Sequence, residues 1–401
     1  MNIRELRAAL MALSAYRPLL EQPVMAELRR LLDALAAGRG EDAMDAYTAV
    51  FYTLRREGYS GLGDLLWDVL RYEESPYAAL AEFGGSDPVL EDAARRDVDT
   101  LRRLADTECG TFLSAMAALL PDEFAPVLVT LPRWVTGCTQ RFDFESLTAY
   151  YREKGAGLYA RYRAFLWEEG KLIPVPDPDC PKPEDLLGYE LQRDQVEANT
   201  RKMFSGHQAN NVLLFGDGGT GKSATVKSML YLPGMEDLRL IEIQKENITG
   251  LPSLIRSLEG KRHKFILFID DLAFDQDDKT YSSMKTILEG SLEKRPVNVA
   301  IYATSNRRHL VRQTFSERAG EEVDTFETIS EKTALAERFG LRIPYLTMNK
   351  VGYLALVEHL AKQAGIEMPK DQLHAQAMTW EIRHSGRTPR VARQFIASLH
   401  K

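Results

Sequence analysis

An apolar run, Val212-Leu213-Leu214-Phe215, empties into Gly216-Asp217-Gly218-Gly219-Thr220-Gly221-Lys222-Ser223, and this stretch restricts the fold more tightly than any other. Gly216 to Ser223 satisfies G-x-x-x-x-G-K-[ST], the pattern of a phosphate-binding loop. Glycines let successive backbone N–H groups curl around an anion without Cβ clashes. A helix starting at Ser223, with Ala224 in its first turn, directs its positive end at the same charge. In such a loop Lys222 reaches the β- and γ-phosphates and the Ser223 hydroxyl binds Mg²⁺. Strand, loop and helix in that order form the first unit of an α/β fold. The competing reading is a glycine-rich strand-to-helix turn that binds nothing.

The chain has 401 residues, room for two or three domains. With 44% hydrophobic and 27% charged residues it has the composition of a globular protein. No window approaches a membrane-spanning apolar run, and Met1-Asn2-Ile3-Arg4-Glu5 leads straight into a mixed amphipathic pattern, so the expected location is cytoplasmic, with no membrane partner. The three cysteines, Cys109, Cys138 and Cys180, are widely spaced and lack any metal-ligand pattern, which argues against disulfides and zinc. A net charge of −7 disfavours a broad nucleic-acid-coating surface but leaves room for a local basic patch.

Taken in order, residues 1–172 read as a mostly helical N-terminal domain. Apolar residues return every three or four positions, as in Leu6, Leu10, Leu13 and Met25, Leu28, Leu32, Leu35, and glycines at 38–40, 58–63 and 84–85 divide the pattern. Its aromatic residues, Tyr47, Phe51, Tyr52, Trp67 and Tyr72 and later Tyr150, Tyr151, Tyr159, Tyr162, Phe165 and Trp167, are spaced as a packed core would be, and no catalytic constellation stands out. The run Ile173-Pro174-Val175-Pro176-Asp177-Pro178-Asp179-Cys180-Pro181-Lys182-Pro183 excludes a helix and reads as a stiff linker over 173–184. From 185 to 348 the texture is α/β: five buried strands are expected at Val212 to Phe215, Leu238 to Ile243, Phe265 to Ile269, Val297 to Tyr302 and Leu341 to Leu346, with helices between, which means a parallel sheet covered on both faces. Residues 349–401 read as three helices.

Two further strand ends bear polar groups. Phe265-Ile266-Leu267-Phe268-Ile269 delivers Asp270 and Asp271. Asp270 is suited to hold Mg²⁺, directly or through water, and Asp271 to orient and polarise an attacking water. Acid pairs also cap turns and helices. Ile301-Tyr302-Ala303-Thr304-Ser305 ends at Asn306, which in a sheet position beside the first strand would hold the attacking water or touch a γ-phosphate; asparagine is equally a common turn residue.

The set of the Gly216 to Ser223 loop, Asp270-Asp271, Asn306, Ala336-Glu337-Arg338-Phe339-Gly340 and Gly386-Arg387-Thr388-Pro389-Arg390-Val391-Ala392 resembles the AAA+ ATPases over Asp185 to the C-terminus. The last two segments are similar to the arginine-finger and lid-arginine segments of the Holliday-junction branch-migration motor. Thr304-Ser305-Asn306-Arg307-Arg308-His309-Leu310 with Ala336 to Leu341 is closer to a bacterial AAA+ family known only as a domain of unknown function, which also carries a helical N-terminal half, so that this likeness would cover the whole chain. The resemblance implies a P-loop AAA+ core with a C-terminal helical lid, ATP and Mg²⁺ as ligands, Gly188 and Tyr189 near the adenine, Arg390 sensing the nucleotide from the lid, and Arg338 reaching the γ-phosphate of a neighbouring subunit. A planar, permanently charged guanidinium suits a departing phosphoryl group. Arg338 pairing with Glu331 or Glu337, and Arg390 merely solubilising its helix, are the plainer alternatives. Most AAA+ motors carry glutamate where this chain has Asp271, while helicase-loader relatives share the Asp-Asp pair, so hydrolysis is expected to be slow.

The expected function is therefore ATP hydrolysis in a ring or other head-to-tail homo-oligomer that remodels or regulates an unidentified protein client. The alternative is a nucleotide-switched loader or adaptor with little turnover. DNA handling is possible but not favoured: it rests on Arg307-Arg308-His309 with Arg312 and on Lys261-Arg262-His263-Lys264, which read as solvated loop charges in an acidic chain. A small-molecule kinase is disfavoured because an enzyme acting alone needs no finger from a neighbour.

Overall fold

The structure, a computed structural model, describes residues 2–273, 279–289, 295–306, 335–384 and 386–399. Two compact units divide the chain, Met1–Arg161 and Tyr162–Lys401. The first is helical. In Pro23–Ala36 the three- and four-residue spacing buries Leu28, Leu31, Leu32 and Leu35 on one face, and Gly40–Arg56 buries Tyr47, Val50 and Leu54. Trp67 and Tyr151 join the same core, whereas Tyr52 is exposed. Asp97, almost wholly buried on the helix Pro88–Ala105, accepts hydrogen bonds from the backbone N–H groups of Ser14 and Ala15 at 2.8 Å and of Tyr16 at 3.2 Å. A carboxylate shared by three backbone donors fastens the loop after the first helix.

The second unit is built on a seven-stranded sheet in which β1 (Ala164–Glu168), β2 (Lys171–Val175), β3 (Val212–Gly216), β4 (Leu238–Ile243), β5 (Lys264–Ile269), β6 (Val299–Ser305) and β7 (Leu341–Tyr345) lie in the order β2-β1-β4-β5-β6-β3-β7. Every pairing is parallel except β2 with β1. The expected five-stranded sheet is therefore corrected to seven. The five strands read from the sequence are present as β3 to β7, and the two extra ones precede them. Phe165 and Trp167, whose spacing reads as helical, stand in β1, and the start of the proline run, Ile173 to Val175, is the end of β2. Glu169 and Gly170, with φ of 48° and 77°, make the two-residue turn between them. Two positive φ angles give the backbone twist that a tight hairpin needs. The boundary between the units consequently lies upstream of the expected linker.

Proline is tolerated in β2 and β7 because both are edge strands, where a missing N–H breaks no ladder. The interior strands are almost entirely buried, as a parallel sheet with both faces covered requires. Glu190–Phe204, Lys222–Ser228, Leu251–Leu258 and Lys279–Glu289 are its helices. Lys350–Gln363, Lys370–Arg383 and Pro389–Leu399 pack around Tyr353, Val357, Ala377, Ala392 and Phe395 in a core of their own. Among the described residues no helix is long and apolar enough to cross a membrane.

Candidate functional site

Because β5, β6 and β3 are adjacent and parallel, their C-terminal ends lie on one edge of the sheet; Ile269 is in register with Ala303, and Phe215 with Ser305. The residues that follow, Asp270, Asn306 and the loop from Gly216, are brought together by that register. In open α/β sheets this edge is where ligands bind.

Gly216 (φ 132°) lies so close to β7 that a Cβ would stand 2.3 Å from the Tyr345 carbonyl oxygen. Gly219 (φ 75°) lies under the helix Pro389–Leu399: a Cβ there would be 3.1 Å from Arg390 Cβ and 3.2 Å from Thr388 Oγ1, and the Arg390 N–H donates to the Gly219 carbonyl at 3.3 Å. These two positions need glycine for both conformation and space. Asp217 is held from the β7 side, its N–H donating to Tyr345 O at 2.9 Å and its Oδ2 accepting from Thr347 N–H at 2.7 Å.

Lys222 is nearly buried, and its ammonium donates to the carbonyls of Gly216 (3.0 Å) and Asp217 (2.8 Å) and to Asn306 Oδ1 (2.9 Å). Burial pushes its pKa below the ordinary lysine value, against the pull of Asp217, Asp270 and Asp271. Asn306 passes the contact on, its Nδ2 donating to Asp271 Oδ1 at 2.9 Å. Ser223 Oγ donates to Asp270 Oδ1 at 2.6 Å, and Thr304 Oγ1 donates to the same oxygen. Asp271, at a φ of 49°, donates its N–H to Thr304 Oγ1 (2.9 Å) and to Asp270 Oδ1 (3.1 Å).

This network borders a cavity of about 640 Å³. Gly218 to Ala224 of the loop, Asp270, Asp271, Asn306 and Arg390 line it, and so do Gly188 and Tyr189. Gly216 and Asp217, at the start of the loop, are not among the cavity-lining residues. Tyr189 (φ 59°) stacks on Tyr345 with ring centroids 4.9 Å apart and donates its hydroxyl to Leu346 O at 2.6 Å; burial pushes its pKa up to about 12. Arg193 donates to the carbonyls of Leu186 and Gly188, at 2.5 and 2.7 Å, which fixes the segment before Tyr189. Arg338 is exposed and is not among the cavity-lining residues.

Several lining residues carry no role in the sequence reading: Thr304, Tyr345, Arg193, Arg393, and Leu186 with Leu187. Thr304 lies two residues before Asn306, and a hydroxyl in an apolar strand is the signal that the sequence offers for it. Of the two basic clusters, Arg307, Arg308, His309 and Arg312, like Glu331, lie outside the described residues. In the other, Arg262 is paired with Asp237 at 3.2 Å and His263 is buried.

The oxygen pair of Ser223 and Asp270 suits Mg²⁺, which takes oxygen ligands and keeps water. Among the described residues no group of three His, Cys, Asp or Glu side chains could form an all-protein metal cage. An ion at this pair would need further oxygens from a bound phosphate and from water.

The family described as "Protein of unknown function (DUF815)" matches residues 160–401. The chain belongs to this family. The DUF815 match begins at the boundary between the two compact units and covers the second of them. Among curated proteins none matches. Similar solved structures include the RuvB Holliday junction branch migration motor of Thermotoga maritima, 14% identical with a TM-score of 0.37, the alignment covering 54% of this DUF815 chain and 63% of that one. A point variant of the same protein gives 14% identity and a TM-score of 0.38 over the same shares. The match thus spans less than two thirds of the RuvB chain.

Proposed function

We propose that this chain binds MgATP at the edge formed by β3, β5 and β6, and hydrolyses it slowly as an AAA+ protein in a homo-oligomer, using the cycle to act on a protein client. The observation that supports this most directly is the chain of contacts from Lys222 through Asn306 to Asp271, beside the Ser223–Asp270 pair. Those groups satisfy one another while arranged around a cleft of polyphosphate size. In this reading phosphate oxygens replace the Gly216, Asp217 and Asn306 oxygens as acceptors for Lys222, and their negative charge offsets the burial that lowers its pKa. The loop N–H groups from Gly218 to Ser223 bind the same oxygens. Ser223 and Asp270 would hold Mg²⁺, which would supply neutralisation of phosphate charge. Asp271 orients the attacking water and accepts its proton, and Asn306, released by Lys222, turns to the γ-phosphate or the water. Gly188 and Tyr189 wall the adenine, and Arg390 reaches the nucleotide from the C-terminal helices, which act as a lid. Exposed Arg338 serves the site of a neighbouring subunit.

An arginine finger is worth roughly 10³ to 10⁵ in rate, or about 4 to 7 kcal/mol of barrier. Turnover per subunit is therefore expected to rise with protein concentration, to vanish in Lys222→Ala, and to fall in Arg338→Ala with nucleotide affinity nearly intact. A dilute monomer as active as the concentrated protein, and indifferent to Arg338→Ala, rules out the trans finger. The second reading, a nucleotide switch whose output is conformational, is favoured by the short Asp271 side chain and its engagement by Asn306. Comparing client capture with ATP, ADP and a non-hydrolysable analogue separates the two, since equal capture in all states excludes a switch.

A further inference from the structure

All seven residues of β6, Val299–Ser305, are buried, and Val299 to Ala303 includes only one polar atom in its side chains, the Tyr302 hydroxyl. A hydroxyl at Thr304, itself only 2% exposed, is costly in such a strand unless both its donor and its acceptor capacity are used. Here both are used by the acid pair. Oγ1 donates to Asp270 Oδ1 and accepts from the Asp271 N–H at 2.9 Å, while the Thr304 carbonyl accepts from the Leu272 N–H at 2.7 Å. The β5–β6 ladder runs up to the Ile269–Ala303 pair, and Thr304 then holds the next three residues of the other chain segment by side chain and backbone together.

The bonds on Asp270 are lopsided. Ser223, Thr304 and the Asp271 N–H all donate to Oδ1, and among the described residues none donates to Oδ2. A carboxylate oxygen has about two lone-pair sites, so Oδ1 is saturated and the other oxygen is left. Once Ser223 is taken up as a metal ligand, Thr304 and the Asp271 N–H are the donors that stay. Asp271, for its part, occupies the left-handed region that residues other than glycine rarely adopt, and its N–H bond to Thr304 secures it there.

We propose that Thr304 is the positioning residue of the acid pair: its buried hydroxyl fixes which Asp270 oxygen is left for the metal and holds Asp271 in the turn that sets its carboxylate against Asn306. This rests on the nucleotide reading given above. Ligands whose supporting hydrogen bonds are removed lose metal affinity or activity by about 10- to 100-fold.

The test compares the full-length protein with Thr304→Val, which removes the hydroxyl at constant shape, and Thr304→Ser, which keeps it. ATP affinity is measured by calorimetry with and without Mg²⁺, the thermal melt at fixed ATP is titrated with Mg²⁺, and turnover is recorded. Thr304→Val is expected to bind ATP without metal within about twofold of the parent, to need about tenfold more Mg²⁺ for half-saturation, and to turn over about 10- to 100-fold more slowly, while Thr304→Ser recovers the parental Mg²⁺ dependence. A residue that only filled space would instead leave Thr304→Val like the parent and show its loss in Thr304→Ser, which lacks the methyl. Parental Mg²⁺ dependence in Thr304→Val, or a serine variant as impaired as the valine one, overturns the proposal. If Thr304→Val does not fold, Thr304→Ala is read in the same way. A parent protein that binds no MgATP overturns the nucleotide reading itself, whereas parental binding with an indifferent Thr304→Val overturns only the role of Thr304.

Discussion

Asn306 touches both the group that would hold phosphate and the group that would hold water: its amide oxygen accepts a hydrogen bond from Lys222 and its amide nitrogen donates one to Asp271. An amide suits this place because it donates and accepts at once without bringing a charge. A carboxylate there would repel Asp271, and a lysine would compete with Lys222. Asp271 is the group on which turnover should depend. General-base groups contribute roughly 10² to 10⁴ in rate. Asp271→Asn, which keeps an oxygen for Asn306 but cannot take a proton, is expected to bind MgATP as the parent does and to lose turnover by about that factor. Single-turnover measurement with labelled ATP checks it, and a variant with parental turnover excludes Asp271 from acting on the water.

At the level of elements, legibility followed how each signal is written in the chain. The strand-to-helix loop from Gly216 to Ser223, β3 to β7 and the three C-terminal helices are readable because long apolar runs and clustered glycines are local features. The β1–β2 hairpin is not, because Ala164-Phe165-Leu166-Trp167 offers both periodicities and the prolines argue for a linker; only the sheet edge explains why Pro174 fits. Thr304 is hidden for a different reason, since its hydroxyl bonds a side chain 34 residues away, at the end of the neighbouring strand. The contact between the loop and the last helix is likewise invisible in either segment alone. It can be loaded by a single methyl: Gly219→Ala adds a Cβ 3.1 Å from Arg390 Cβ at a φ of 75°. Strain from the wrong φ alone costs about 1 kcal/mol. The crowded loop and the helix Pro389–Leu399 must separate as well, so MgATP affinity is expected to fall by about tenfold or more, measured by titration, with the melt of the nucleotide-free protein lowered by only a few degrees. Unchanged affinity would mean that the close approach of Arg390 to the loop has no part in binding.

At the scale of the whole molecule, every residue lining the candidate nucleotide cleft lies between Asp179 and Gln394, inside the unit Tyr162–Lys401. The matched family covers the same stretch. That unit has its own apolar cores, one under the sheet around Val212, Ile266, Phe268 and Tyr302 and one among the C-terminal helices. The unit Met1–Arg161 has a separate one, from Leu6 to Tyr151. A domain that buries its own core folds by itself. Residues 162–401 expressed alone are therefore expected to fold and to bind MgATP with the affinity of the full chain, because nothing that lines the cleft has been removed. The cut must fall before Ala164: without β1 and β2, the β4 edge would lose its parallel partner and expose an unpaired apolar strand. Calorimetric titration of residues 162–401 and of the full chain decides the first point, and the solubility of a chain beginning at 176 decides the second. A fragment that folds but binds MgATP far more weakly would mean that the helical unit contributes to the site.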